Sequence, residues 1–97
     1  MPNQFGQRIR ELREKQNLLL RQVAPLLEMD TPMLSKIERG QRSVKKEVVS
    51  QLAGILHVEE EELSTLWLAD QLMNTIGNKE HAENALKLVS NNIKSKK

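Results

Sequence analysis

The chain has 97 residues, enough for one compact domain with a modest core, and 38% are apolar against 29% charged, an ordinary balance for a globular protein. It contains no cysteine, which excludes disulfide scaffolds, thiolate metal sites and cysteine nucleophiles. The net charge of +2 is unevenly spread: residues 1–58 hold ten Lys/Arg and six Asp/Glu, residues 59–97 five Lys and seven Asp/Glu, so the first half is the candidate for contact with a polyanion. One Phe, one Trp and no Tyr leave Leu, Ile, Val, Met and Ala to build the core, the palette of a helical protein. No apolar run approaches a membrane span and no signal-peptide pattern opens the chain, so a cytoplasmic protein is expected.

The apolar spacing predicts helices throughout and no strand. Phe5, Ile9 and Leu12 lie on one face of a helix over residues 4–16. Leu20, Val23, Ala24 and Leu27 form the stripe of a short second helix, in which Pro25 predicts a kink or a late start, because its ring removes an internal hydrogen bond. Asp30 reads as the N-cap of a third helix with Pro32 in its first turn. This helix runs from Thr31 to about Arg39 and stops at Gly40. Leu34 and Ile37 face inward; Thr31, Pro32, Ser35, Lys36 and Arg39 face outward.

Ser43 is a candidate cap for a fourth helix over residues 44–56, with Val48, Val49, Leu52, Ile55 and Leu56 as its buried set. Glu59 to Glu62 put negative charge at the start of a fifth helix, where the dipole favours it; a metal site is the weaker reading of this run. The fifth helix ends at Gly77, and Asn78 can cap a last helix over residues 79–93, followed by a frayed tail. Residues 1–76 form the expected domain, and residues 77–97 an added helix and tail.

Two short helices around Glu28-Met29-Asp30, the second polar outside and apolar inside, have the form of a helix-turn-helix. The stretch from Leu18 to Leu63 resembles the Xre/Cro/C1-type helix-turn-helix of bacterial and phage repressors. The likeness rests on Val23-Ala24, Leu27, Met29-Asp30, Leu34, Leu52-Ala53, Leu56 and Val58, and above all on Ser35-Lys36-Ile37-Glu38-Arg39-Gly40-Gln41-Arg42. It implies an all-α fold, a five-helix lambda-repressor-like helix-turn-helix domain with an additional C-terminal helix. It also implies double-stranded DNA as the partner. Bases would be contacted from Thr31, Pro32, Ser35 and Lys36, the lysine donating to guanine O6 and N7. Arg39 and Arg42 would clamp phosphates. Where the family often has Ser-Gln at the start of its second helix, this chain has Leu19-Leu20, so Arg21 or Gln22 would have to supply the missing phosphate contact. Glu28 occupies the position of the family's turn glycine, where backbone strain is expected. The resemblance also sets Arg13 and Glu38 face to face beneath the recognition helix, where a guanidinium fork suits a carboxylate. His57 stands at the family's helix-ending glycine. It reads as a cap residue rather than a metal ligand, since no second His or Cys lies at ligand spacing.

The fifth helix holds more apolar residues than one face can bury. Leu63, Leu66, Trp67 and Met73 are expected to seal the core. Leu68 and Leu72 lie on another side, and the last helix adds Leu86, Val89 and Ile93. A monomer could fold that helix back over them; a homodimer could pair them across a two-fold axis, which is the expectation. No Gly-rich phosphate loop, His cluster or nucleophile motif supports an enzyme, and no catalytic residue, metal, cofactor or small-molecule ligand is inferred. The expected function is a sequence-specific transcriptional regulator, more in the manner of a repressor, on a palindromic operator. The alternative is an antitoxin or anti-repressor whose C-terminal helices bind another protein.

Overall fold

A computed structural model describes residues 3–77 and 79–95. Among them are six α-helices and no strand: α1 (Gln4–Lys15), α2 (Leu20–Val23) with a 3₁₀ turn (Ala24–Leu27), α3 (Thr31–Glu38), α4 (Lys46–Leu56), α5 (Glu60–Ile76) and α6 (Ala82–Ser95). This is the all-α helix-turn-helix architecture with an extra C-terminal helix.

Each of the first five helices gives one stripe to a single core. Phe5, Ile9 and Leu12 of α1 meet Val23, Ala24 and Leu27, then Leu34 and Ile37 of α3, Val49, Leu52, Ala53 and Leu56 of α4, and Leu63 of α5. Burying each large aliphatic side chain contributes about 1.5–3 kcal/mol, and this offsets the entropy of ordering four short helices that would not persist alone. Pro25 has the expected effect. The α-helical turn stops at Val23 and the chain tightens into the 3₁₀ turn, with the proline near its start, where its missing N–H leaves no helical bond broken.

Several boundaries differ from expectation. Ser43 does not cap α4, which begins at Lys46 after an extended Lys45. The segment before it is held out instead by Trp67, whose Nε1 donates to the Val44 carbonyl at 3.0 Å. Met73 does not seal the core; it is exposed, as are Leu68 and Leu72, because past Asp70, which still meets the start of α1, residues 71–75 of α5 are all exposed. Gly77 ends α5 with right-handed backbone and so supplies no left-handed cap. The last helix starts at Ala82, not at 79, and runs on through Lys94 and Ser95, which a frayed tail would not. Asn78, expected to cap it, lies outside the described residues, as do Lys96 and Lys97.

α6 buries no residue at all. Its projection shows in the radius of gyration, 15.2 Å, against about 12.5 Å for a compact chain of this length.

Candidate nucleic-acid interface

The turn between α2 and α3 is built from three backbone decisions. Glu28 adopts left-handed geometry, φ 56°, which reverses the chain after the 3₁₀ turn and crowds its Cβ. Met29 is half-buried and packs on the core. Asp30 is extended, and its carboxylate accepts from the Met33 amide at 2.8 Å, satisfying one of the free donors of α3. Pro32 sits in the first turn, where it has no bond to lose.

α3 is thereby launched with a fixed rotation. Leu34, Ile37 and Glu38 are buried, Pro32, Lys36 and Arg39 are exposed, and Thr31 and Ser35 are half-buried at the margin. Gly40, at φ 77°, ends the helix with a backbone that side chains resist. Arg42 is exposed in the loop that follows.

The inner side of α3 is pinned by charge as well as by apolar packing. Arg13 reaches Glu38 with two bonds, Nε to Oε2 at 2.7 Å and Nη2 to Oε1 at 3.0 Å. Its third nitrogen, Nη1, donates to the Leu18 carbonyl at 2.8 Å. Both residues are buried. The hydrogen bond to Glu38 raises the Arg13 pKa above its ordinary value despite the opposing effect of burial. The pair thus consumes the acidic group within α3 and leaves the outer face to Lys36 and Arg39.

The cations of the candidate face differ in how they are held. Arg39 folds back so that Nε donates to the Ser35 carbonyl at 3.3 Å. With Arg10 and Ser35 it lines a groove between α1, α2 and α3. Among the described residues, Arg21, Lys36, Arg39 and Arg42 form no ion pair. Gln22 is exposed at the end of α2's first turn, and its Oε1 accepts from the Leu19 amide at 2.7 Å. That bond satisfies the Leu19 amide, the half of a capping box that does not need a hydroxyl at position 19, and it leaves the Gln22 NH₂ as a donor without a partner among the described residues.

Some features of the site carried no sequence signal. Gly6 is buried in α1, and a Cβ there would stand 2.6 and 2.7 Å from the carbonyl oxygens of Glu38 and Ile37. Only glycine permits α1 to lie this close to the end of α3. Asn3 donates from Nδ2 to the Glu38 carbonyl at 2.8 Å. Asp70 of α5 accepts from the amides of Gln4 and Phe5. The hydrogen bonds of Asn3 and Asp70 join residues 35 to 66 positions apart in the chain, beyond the reach of any periodicity.

The remaining charged features are peripheral. Arg8 bridges Glu11 at 3.2 Å and Glu62 at 3.0 Å, tying α1 to α5. His57 is exposed and left-handed, φ 57°, at the end of α4. Among the described residues no group of three or more His, Cys, Asp or Glu converges as a metal site would require, and no helix is long and apolar enough to cross a membrane.

Comparison with known proteins points the same way as the geometry. A family model described as a helix-turn-helix domain matches residues 4–66, from the first residue of α1 into the middle of α5. No curated protein and no solved structure matches the chain. The matched segment is about two-thirds of the 97 residues and holds α1 to α4, the first part of α5 and the buried core residues from Phe5 to Leu63. The chain belongs to the helix-turn-helix domain family.

Proposed function

We propose that this protein is a sequence-specific transcriptional regulator, a repressor, that binds a palindromic operator in the cytoplasm as a homodimer. The observation that carries the reading is α3 itself. Its inner side is locked by the core and by the Arg13–Glu38 pair, and its outer side offers Lys36 beside the half-buried Ser35 and Thr31. A rigid helix with uncommitted donors is what reading of base edges in a major groove needs.

In this reading Thr31, Pro32, Ser35 and Lys36 contact bases. Arg39 and Arg42 contact phosphates at the C-terminal end of α3, and Arg21 and the Gln22 NH₂ contact them from α2. The phosphate contacts supply affinity and its salt dependence; the base contacts supply choice.

Dimerisation is proposed through α5 and α6. Leu68, Leu72, Leu86, Val89 and Ile93 are each between 39% and 55% exposed, and α6 is not folded back to cover them. An apolar surface of this kind marks an association face. The same face supports a second reading, an antitoxin or anti-repressor in which another protein covers α6.

Selection of bound sites from a random DNA pool tests the function. One ordered inverted repeat is the expected outcome. Failure to enrich any sequence, with the protein folded, would overturn it.

A further inference from the structure

One junction, outside the recognition face, joins three elements. Asn3 stands where a side-chain cap of α1 belongs, yet its Nδ2 is turned to the Glu38 carbonyl at the end of α3, 2.8 Å away. The amides thus left open, Gln4 and Phe5, donate to Oδ1 and Oδ2 of Asp70 at 3.1 and 2.9 Å. Both bonds are charge-assisted, and the carboxylate lies at the positive end of the helix dipole. Gly6 closes the junction from beneath, with the Ile37 and Glu38 carbonyls against its Cα. Asp70 lies two residues from each of Leu68 and Leu72 on α5, on the side of the helix turned to α1, whereas the two leucines are exposed on the apolar face. A short chain of bonds therefore links the helix that carries that face, through Asp70 and the first turn of α1, to the end of the recognition helix.

A cap alone could have come from Asn3, a residue type suited to the task. Here it comes from the helix that carries the apolar face, while Asn3 is used to hold α3. The arrangement adds to the core packing of Leu63 and to the Arg8–Glu62 bridge in holding the angle between the two helices. Angle matters in a dimer, because two recognition helices one DNA turn apart stand about 34 Å from each other. A swing of about 10° on a lever of about 17 Å moves a reading head about 3 Å, close to the 3.4 Å rise of one base pair.

We propose that Asp70 is a positioning residue that sets the half-site spacing the dimer accepts, by clamping the first turn of α1, and through Asn3 the end of α3, to the dimer-forming helix. The inference rests on the reading of α5 and α6 as the dimer face.

The test uses the full chain and a library of two inverted copies of the selected half-site, separated by spacers of every length up to one helical turn. Wild type, Asp70→Ala, Asn3→Ala and the double variant are compared, with a single half-site as the reference ligand. Wild type is expected to favour one spacing by about tenfold or more, since only matched geometry lets both halves engage at once. Each single variant should bring neighbouring spacings to within about threefold of the best, with half-site affinity held within about twofold. The double variant should be no broader than either single one, because both break the same chain. Variants that keep the wild-type spacing preference, or lose half-site affinity without broadening, would overturn the positioning role while leaving the dimer intact. A wild type indifferent to spacing would overturn the dimer reading and this inference together. Far-UV circular dichroism checks the fold. Should Asp70→Ala fail to fold, Asn3→Ala, which removes only the second link, decides the matter alone.

Discussion

At the scale of single residues, the interface separates groups that hold α3 from groups that are free to touch a ligand. Arg13 belongs to the first class. Arg13→Ala leaves the Glu38 carboxylate buried without its partner, a loss of roughly 3–5 kcal/mol. That is a large part of the roughly 5–15 kcal/mol that a small domain possesses. Arg10 is exposed and pairs with Glu14 at 3.4 Å, a contact of the kind worth less than about 1 kcal/mol. Thermal melts should therefore place Arg13→Ala far below Arg10→Ala, and equal midpoints would contradict the structural importance of the buried pair.

Lys36 belongs to the second class. Lys36→Ala should leave the fold unchanged, cost about 1–3 kcal/mol on the selected operator and relax choice at one base pair per half-site. Arg42→Ala should weaken all sequences alike and lower the salt slope by about 1. Titration of each variant against single-base-pair operator changes separates the two roles. Unchanged preference in Lys36→Ala would mean that another surface reads the bases.

Glu28 makes a third residue-scale prediction, with the opposite sign. Its left-handed backbone, φ 56°, crowds the side chain, and glycine would relieve this. Net of the extra freedom glycine gives the unfolded chain, Glu28→Gly should stabilise by on the order of 0.5–1 kcal/mol. Urea melts with a higher midpoint and unchanged slope would show it; a lower midpoint would mean that the Glu28 side chain contributes more than its strain costs.

At the scale of elements, local pattern and remote contact divide what could be read in advance. The inner face of α3, Leu34 and Ile37, follows from a spacing of three, and the starts of α1, α3 and α5 follow from apolar periodicity and acidic or capping residues. The kink at Pro25 follows from its missing N–H. Ser43 has the chemistry of a cap and points to an earlier start for α4, but the segment before the helix is held by Trp67, 23 residues beyond Val44. Met73 shares its spacing with the core residues of α5 but is exposed, since periodicity reports which residues share a face and not where the neighbouring helices stop. The Arg13–Glu38 pair was legible only through family resemblance; two charges 25 positions apart leave no local trace. Asp70 and Gly6 left none either.

α6 gives the element-scale prediction. It buries nothing in the single chain, and the core closes among α1 to α5. Removing residues 79–97 should therefore leave the melting of the remaining domain cooperative. It should also yield a monomer in sedimentation at micromolar concentration and weaken operator binding at least about 100-fold, as the second half-site contact ceases to be intramolecular. A full-length monomer, or a truncated chain that still dimerises, would contradict the role given to the C-terminal helices.

At the scale of the whole molecule, the uneven charge acquires a physical sense. The basic excess of residues 1–58 includes Arg21, Lys36, Arg39 and Arg42 near α3, which form no ion pair among the described residues, while Glu59 to Glu62 lie at the start of α5. The acidic run there favours the helix dipole, and Glu62 is further engaged by Arg8. A dimer joined through α5 and α6 would carry two basic reading heads at a fixed separation, a geometry that matches the two-fold symmetry of an inverted repeat. Hydroxyl-radical footprinting of the full-length protein on its selected operator tests this claim most directly. Two protected patches on one face of the duplex, about 34 Å apart and symmetric about a dyad, are the predicted result; a single patch, or protection without a dyad, would contradict it.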